Sequence, residues 1–168
     1  DTWEENFELM RQAQPTFLEN NMGLDPNKIH ELEVPAEDRA HYSKRTIDFM
    51  FDYLNGEEEL MGLAYRTDFD LQNIARESGK SMEYRDKNTG EVYIPHVIEP
   101  SIGVERLMLA VLSSAYVEDE IDGNKRTVLK LPESLAPYKF CVSPLLKNKP
   151  ELVQKAKEVY DMLRKKYT

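Results

Sequence analysis

The sequence predicts an α+β fold: a mostly antiparallel sheet with flanking helices, followed by the first strand and helix of an α/β unit. Three observations predict it. Runs that alternate apolar and polar residues are separated by turn dipeptides suited to hairpins. A strongly apolar helix follows directly on the last of these strands. Towards the C-terminus, a strand, a loop and an amphipathic helix come in the order that opens an α/β unit.

Each element has its own signal. From Thr2 to about Met22, Trp3, Phe7, Met10, Phe17 and Leu18 recur at helical spacing, and Pro15 is expected to kink or split that helix. Asn20-Asn21-Met22-Gly23 ends it. Pro26 to Arg39 reads as irregular, apart from a short extended piece near Leu32–Val34. From His41 to Tyr53, Ile47, Phe49 and Phe51 alternate against Asp48, Met50 and Asp52, a strand pattern. Asn55-Gly56 is a hairpin turn leading to a second strand from Glu57 to Tyr65. Asp68 to Ala75 suits a short helix, and Met82–Tyr84 with Glu91–Ile94 flank a second turn signal, Lys87-Asn88-Thr89-Gly90.

A further strand reaches Glu99, and a Pro-Ser-x-Gly turn follows. A helix then runs from Ile102 to about Tyr116, with Val104, Leu107, Met108, Val111, Leu112 and Ala115 on one apolar face, so it is expected to be buried. Lys125 to Leu131 is another strand, and Leu135-Ala136-Pro137 a linker. An apolar strand is expected over Lys139–Ser143, with Cys141 as a buried thiol, and then an amphipathic helix from Pro150 to Lys166. These patterns divide the chain into residues 1–134 and 135–168.

Bulk properties exclude several classes. The 168 residues suffice for one domain with a proper core, or one domain and part of another. No apolar run approaches the roughly 20 residues of a membrane span, and no signal peptide opens the chain. A single cysteine rules out an internal disulfide. The net charge of −9 argues against broad nonspecific nucleic-acid binding, while leaving room for a nucleic acid held on a limited patch. The chain starts without methionine and stops inside a helical pattern, so it is expected to be an excised or proteolytic piece.

Candidate functional residues concentrate around one stretch, Val97 to Ala110. An anion at the start of its helix would meet backbone N–H groups, the positive end of the helix dipole and the Arg106 guanidinium; a cation would meet Glu99. Arg106, in the second turn of an apolar helix, must either snorkel to solvent or serve a ligand. Ser101 has a simple alternative role as the helix N-cap. Gly103 either permits close packing or leaves room for a base or phosphate. Glu105 reads as a solvated or ion-paired neighbour, with a metal role as the lesser alternative.

Glu59, by alternation, shares the face of Met61 and Leu63, and a core-side carboxylate implies a cation: either a ligand or Arg66. Asp68 and Asp70 suit helix capping. His30, His41 and His96 are scattered without ligand spacing, so no zinc or other metal site is expected. Arg164-Lys165-Lys166 reads as a solvated helix end. No phosphate-binding loop, dinucleotide fingerprint or nucleophile elbow is present.

The run Glu99-Pro100-Ser101-Ile102-Gly103-Val104-Glu105-Arg106 with its apolar helix resembles motif 3 of the class II aminoacyl-tRNA synthetases, here over residues 97–112. Val97-Ile98-Glu99-Pro100-Ser101 is similar to the glycyl-tRNA synthetases of the dimeric type. Further segments resemble the same family in the same order: Ala40-His41-Tyr42-Ser43-Lys44, Glu59-Leu60-Met61-Gly62-Leu63-Ala64, Arg66-Thr67-Asp68-Phe69-Asp70-Leu71, Leu129-Lys130-Leu131 and Leu135-Ala136-Pro137-Tyr138-Lys139.

The resemblance implies activation of glycine with ATP and transfer of the glycyl group to tRNA(Gly), in a cytoplasmic, bacterial, homodimeric enzyme that uses Mg²⁺ and has no membrane partner. It implies Arg106 and Glu99 as catalytic residues. The glycine site would comprise Glu59, Glu99, Pro100, Ser101, Ile102 and Gly103; the ATP site would comprise Glu59, Leu60, Gly103, Val104, Glu105 and Arg106. Residues 1–134 would then be the C-terminal part of the catalytic core, and 135–168 the beginning of an anticodon-binding domain. Motifs 1 and 2 would precede Asp1, so the chain carries about half of an active site and is not expected to aminoacylate tRNA alone. The alternative is a non-catalytic accessory or binding protein with a synthetase-like fold. Such a protein would tend to lose Glu59, Glu99 or Arg106, and all three are present.

Overall fold

The computed structural model describes residues 2–167. Two compact units divide between Lys130 and Leu131. The first is α+β, and every strand pairing in it is antiparallel. Helix α1 (Trp3–Thr16) opens on a capping box, Thr2 and Glu5 each bonding the other's backbone N–H. Pro15 lies in its last turn, and the chain continues as a π-helical turn over Phe17–Asn21, so the expected split occurs there.

Strand β1 (Ile29–Glu33) occupies part of the segment expected to be irregular, after a 3₁₀ turn at Pro26–Lys28. Its composition is polar because most of its side chains stay exposed, with Glu31 and Glu33 paired to Arg11 at 2.7 Å and Arg45 at 3.0 Å. Strands β2 (Arg45–Tyr53) and β3 (Gly56–Thr67) form a hairpin whose two-residue loop is Leu54-Asn55. Gly56 therefore opens the strand rather than closing the turn, at φ +126°, where a side chain would be strained. Helix α2 (Phe69–Ser78) and a short ribbon of β4 (Tyr84–Arg85) with β5 (Val92–Tyr93) precede β6 (Val97–Ile102). The main sheet runs β1-β2-β3-β6.

One face of this sheet carries the core: Ile47, Phe49 and Phe51 from β2, and Met61, Leu63 and Tyr65 from β3 are buried. Helix α1 meets that face through the Trp3 ring stacked on Tyr65 at 4.1 Å and through Phe7 beneath the Arg45 guanidinium at 4.5 Å. Helix α3 (Val104–Ala115) meets the other end, where the Tyr53 hydroxyl donates to the Arg106 carbonyl at 3.2 Å.

Three expectations change here. Pro100 and Ser101 lie inside β6, not in a turn; β6 is an edge strand, where a residue without an N–H is tolerated. The N-cap of α3 is Gly103, so Ser101 caps nothing, and Arg106 falls in the first turn rather than the second. Helix α3 is also not buried all round. Ala110, Val111 and Ala115 are covered, whereas Val104 is 73% and Met108 60% exposed.

Helix α3 ends at Ala115 because Tyr116–Ile121 forms β7, paired with β8 (Asn124–Leu129). Asp122 (φ +52°) and Gly123 (φ +78°) make the two-residue turn that matches strand twist. Sequence reading missed β7, since Glu118-Asp119-Glu120 dilutes its alternation; the Asp-Gly dipeptide was the available signal.

In the second unit, helix α4 (Pro150–Leu163) forms with proline at its start, as expected. No strand forms over 139–143, and Cys141 is exposed rather than buried. The apolar run instead contributes single anchors: the Phe140 ring packs edge-on to Tyr167 at 5.7 Å and to Tyr160 at 6.5 Å.

Candidate functional site

The second face of the main sheet holds the predicted site residues, and a β-bulge puts one of them there. Phe49 pairs with Met61, but the next residue, Met50, pairs with Glu59, so Leu60 is the extra residue of β3. Both Leu60 and Met61 turn to the core, and Glu59 changes face. Simple alternation had put Glu59 with Met61 and Leu63; the bulge overturns that, because a one-residue slip reverses side-chain direction. Glu59 instead shares the open face with Asp48, Gly62, Ala64, Glu99 and Ser101.

Register arranges these in rows. Asp48, Gly62 and Ser101 lie opposite one another across three strands, as do Thr46, Ala64 and Glu99. Gly62 and Ala64 make a low floor under a cavity of about 240 Å³, walled by Arg39, Tyr42, Asp48, Glu59, Glu99 and Ser101. A neighbouring cavity of about 310 Å³ shares Glu59 and Ser101 and adds Leu60, Ile102, Gly103 and Arg106. The structure thus brings Glu59, Glu99, Ser101, Gly103 and Arg106 into two adjoining hollows. Val104 and Glu105 are exposed in the first turn of α3, outside both sets of lining residues. Pro100 faces the other way, paired with Leu63.

The charges of the site are held in distinct ways. Arg66 does not neutralise Glu59. Its guanidinium takes both oxygens of Asp70 (2.6 and 2.9 Å), donates to Glu99 Oε2 (2.7 Å) and lies 3.8 Å over the Tyr42 ring. This fixes one oxygen of Glu99, and the same bonds hold the Asp70 carboxyl below its ordinary pKa. Asp70 is therefore an ion-pair partner; nor does Asp68, at the N-cap position of α2, make a side-chain capping bond. Arg39 is committed to the Val34 and Lys44 carbonyls at 2.8 and 2.6 Å. Arg106 reaches back across the strand end and donates to the Glu59 carbonyl. That contact keeps the guanidinium beside the second hollow.

Asp48, Arg39, Tyr42 and Gly62 were not singled out from the sequence. Asp48 sat in the polar phase of a strand, and that pattern reads the same for a solvated face and for the floor of a site. Three side chains with metal-donor atoms, His30 from β1 and the paired Asp52 and Glu57 of the β2–β3 hairpin, come within 4.8 Å of one another. The His30 ring nitrogen lies 3.1 Å from Asp52.

Comparison with known proteins shows what the chain is similar to. The chain is 46% identical over 158 residues to the glycine–tRNA ligase of Malacoplasma penetrans, covering 94% of this chain and 34% of that protein. Over nearly all of its length the chain matches one segment of the glycine–tRNA ligases. It spans about a third of the length of the curated relatives it matches. The glycine–tRNA ligase of Clostridium tetani is 43% identical over 160 residues, covering 95% of this chain and 34% of that protein. For the glycine–tRNA ligase of Thermus thermophilus the figures are 41% over 154 residues, 82% and 30%. No family model matches. No described helix is long and apolar enough to cross a membrane.

Proposed function

We propose that this chain supplies part of the active site of a glycine–tRNA ligase of class II, an enzyme that activates glycine with ATP to glycyl-adenylate and passes the glycyl group to tRNA(Gly). The observation that carries the reading is the shared open face. Glu59, Glu99 and Ser101 surround a floor without side-chain bulk at Gly62, and Arg106 stands at the adjoining hollow.

The chemistry follows from what each group can do. Carboxylates on the small floor suit the ammonium of glycine, Ser101 can hydrogen-bond the substrate, and a shallow site over Gly62 and Ala64 gives a substrate side chain little room. Exclusion of larger amino acids then comes from clash. Arg106, a permanent cation, suits the phosphates of ATP, while Leu60 and Gly103 border the nucleotide. The ion pair of Arg66 with Glu99 pre-organises one carboxylate before substrate arrives. Mg²⁺ brought in with ATP would neutralise phosphate charge, held chiefly by the phosphates themselves.

Residues 1–134 are read as the C-terminal part of the catalytic core and 135–168 as the beginning of an anticodon-binding domain. The whole enzyme is read as a cytoplasmic homodimer. The test is ATP–pyrophosphate exchange by the full-length product of the gene. Exchange should depend on glycine and fail with alanine; no glycine dependence would overturn the reading.

A further inference from the structure

Resting on the reading that this face receives glycine, we propose that Asp48 is a substrate-binding residue that receives the amino-acid ammonium together with Glu59, across Gly62. Asp48 lies directly opposite Gly62, which lies directly opposite Ser101. A Cβ built on Gly62 would sit 3.4 Å from Ser101 Oγ, 3.6 Å from Glu59 Oε1 and 3.8 Å from Asp48 Oδ1. Three polar side chains therefore converge on the volume that a methyl group would fill, and two of them are carboxylates.

No cation among the described residues serves those two carboxylates. Among the described residues neither the Asp48 nor the Glu59 side chain makes an ion pair or hydrogen bond, although both line the cavity. The guanidinium groups nearby are committed elsewhere: Arg66 to Asp70 and Glu99, Arg39 to two backbone carbonyls, Arg106 to the Glu59 carbonyl. Burial, with the Glu59 charge added, pushes the Asp48 carboxyl above its ordinary pKa. Facing carboxylates without a counter-ion leave an electrostatic cost that an ammonium between them removes. Glu99, by contrast, already has a cation on one oxygen, so Asp48 and Glu59 are the pair with unmet demand.

The test compares KM values for glycine and ATP in pyrophosphate exchange by the full-length product of the gene, for wild type, Asp48→Asn and Gly62→Ala. Losing one charge-assisted bond should raise the glycine KM of Asp48→Asn by about 10- to 100-fold. The ATP KM and the melting temperature should stay near wild type. Gly62→Ala, whose methyl makes only ordinary contacts with its neighbours, should fold and also raise the glycine KM. A wild-type glycine KM in Asp48→Asn, or an equal rise in both KM values, would overturn the proposal while leaving the functional reading intact. Absence of glycine-dependent exchange by the wild type would overturn the functional reading and this proposal with it.

Discussion

Replacing Phe49 with alanine is expected to destabilise the first unit by about 3–5 kcal/mol, a large part of the roughly 5–15 kcal/mol that holds a typical domain folded. Phe49 is 0% exposed and sits at the centre of the core face, on the strand that pairs with both β1 and β3. It is also the residue opposite Met61, immediately before the bulge, so its loss removes packing where the register changes. Chemical denaturation read by tryptophan fluorescence is well placed to report this, because Trp3 stacks on Tyr65 of the same face. An unchanged denaturation midpoint would mean that the sheet is not organised around this core.

The second large effect is on activity. Arg106→Ala in the full-length product of the gene is expected to lower glycine-dependent exchange by about 10²–10³-fold, the scale on which a preorganised electrostatic contact acts. Thermal stability should barely change. The side chain is exposed, its contact is to the Glu59 carbonyl, and the Tyr53 hydroxyl bonds the Arg106 backbone rather than the side chain. Loss of activity with an unchanged melting temperature would separate a phosphate-binding role from a structural one. Full activity in the variant would remove Arg106 from the site.

Much of this was legible in the sequence, for identifiable reasons. The alternation of Ile47, Phe49 and Phe51 was long enough to identify both the strand and its buried face, and the Asn-Gly dipeptide marked the hairpin within one residue. The motif Glu99–Arg106 and the segments around Glu59 and Arg66 carry the resemblance to glycine–tRNA ligases, and the relatives bear that resemblance out.

What failed was mostly register and context. A bulge at Leu60 is invisible to a period-two pattern, so Glu59 was put on the wrong face, and its expected ion pair with Arg66 went to Glu99 and Asp70 instead. Pro-Ser-x-Gly carries turn chemistry, yet as part of an edge strand it pairs with β3 up to Ile102. The apolar stripe on α3 implied complete burial, but a stripe shows only that a surface is apolar. Here Val104, Met108 and Leu109 remain exposed in the chain as it stands. The short apolar run over 139–143 satisfied strand propensity without a neighbouring strand to pair with, and propensity alone does not make a sheet.

The central claim is that the open face of the main sheet, over Gly62, is where glycine is held. The most direct test is a crystal structure of the full-length product of the gene with a stable glycyl-adenylate analogue. The account predicts the analogue's ammonium over Gly62, within hydrogen-bond reach of Glu59 and on the same face as Asp48, Glu99 and Ser101, with the adenylate portion running past Leu60 and Gly103 towards Arg106. An analogue bound away from this face, or bound with its ammonium directed away from these carboxylates, would contradict it.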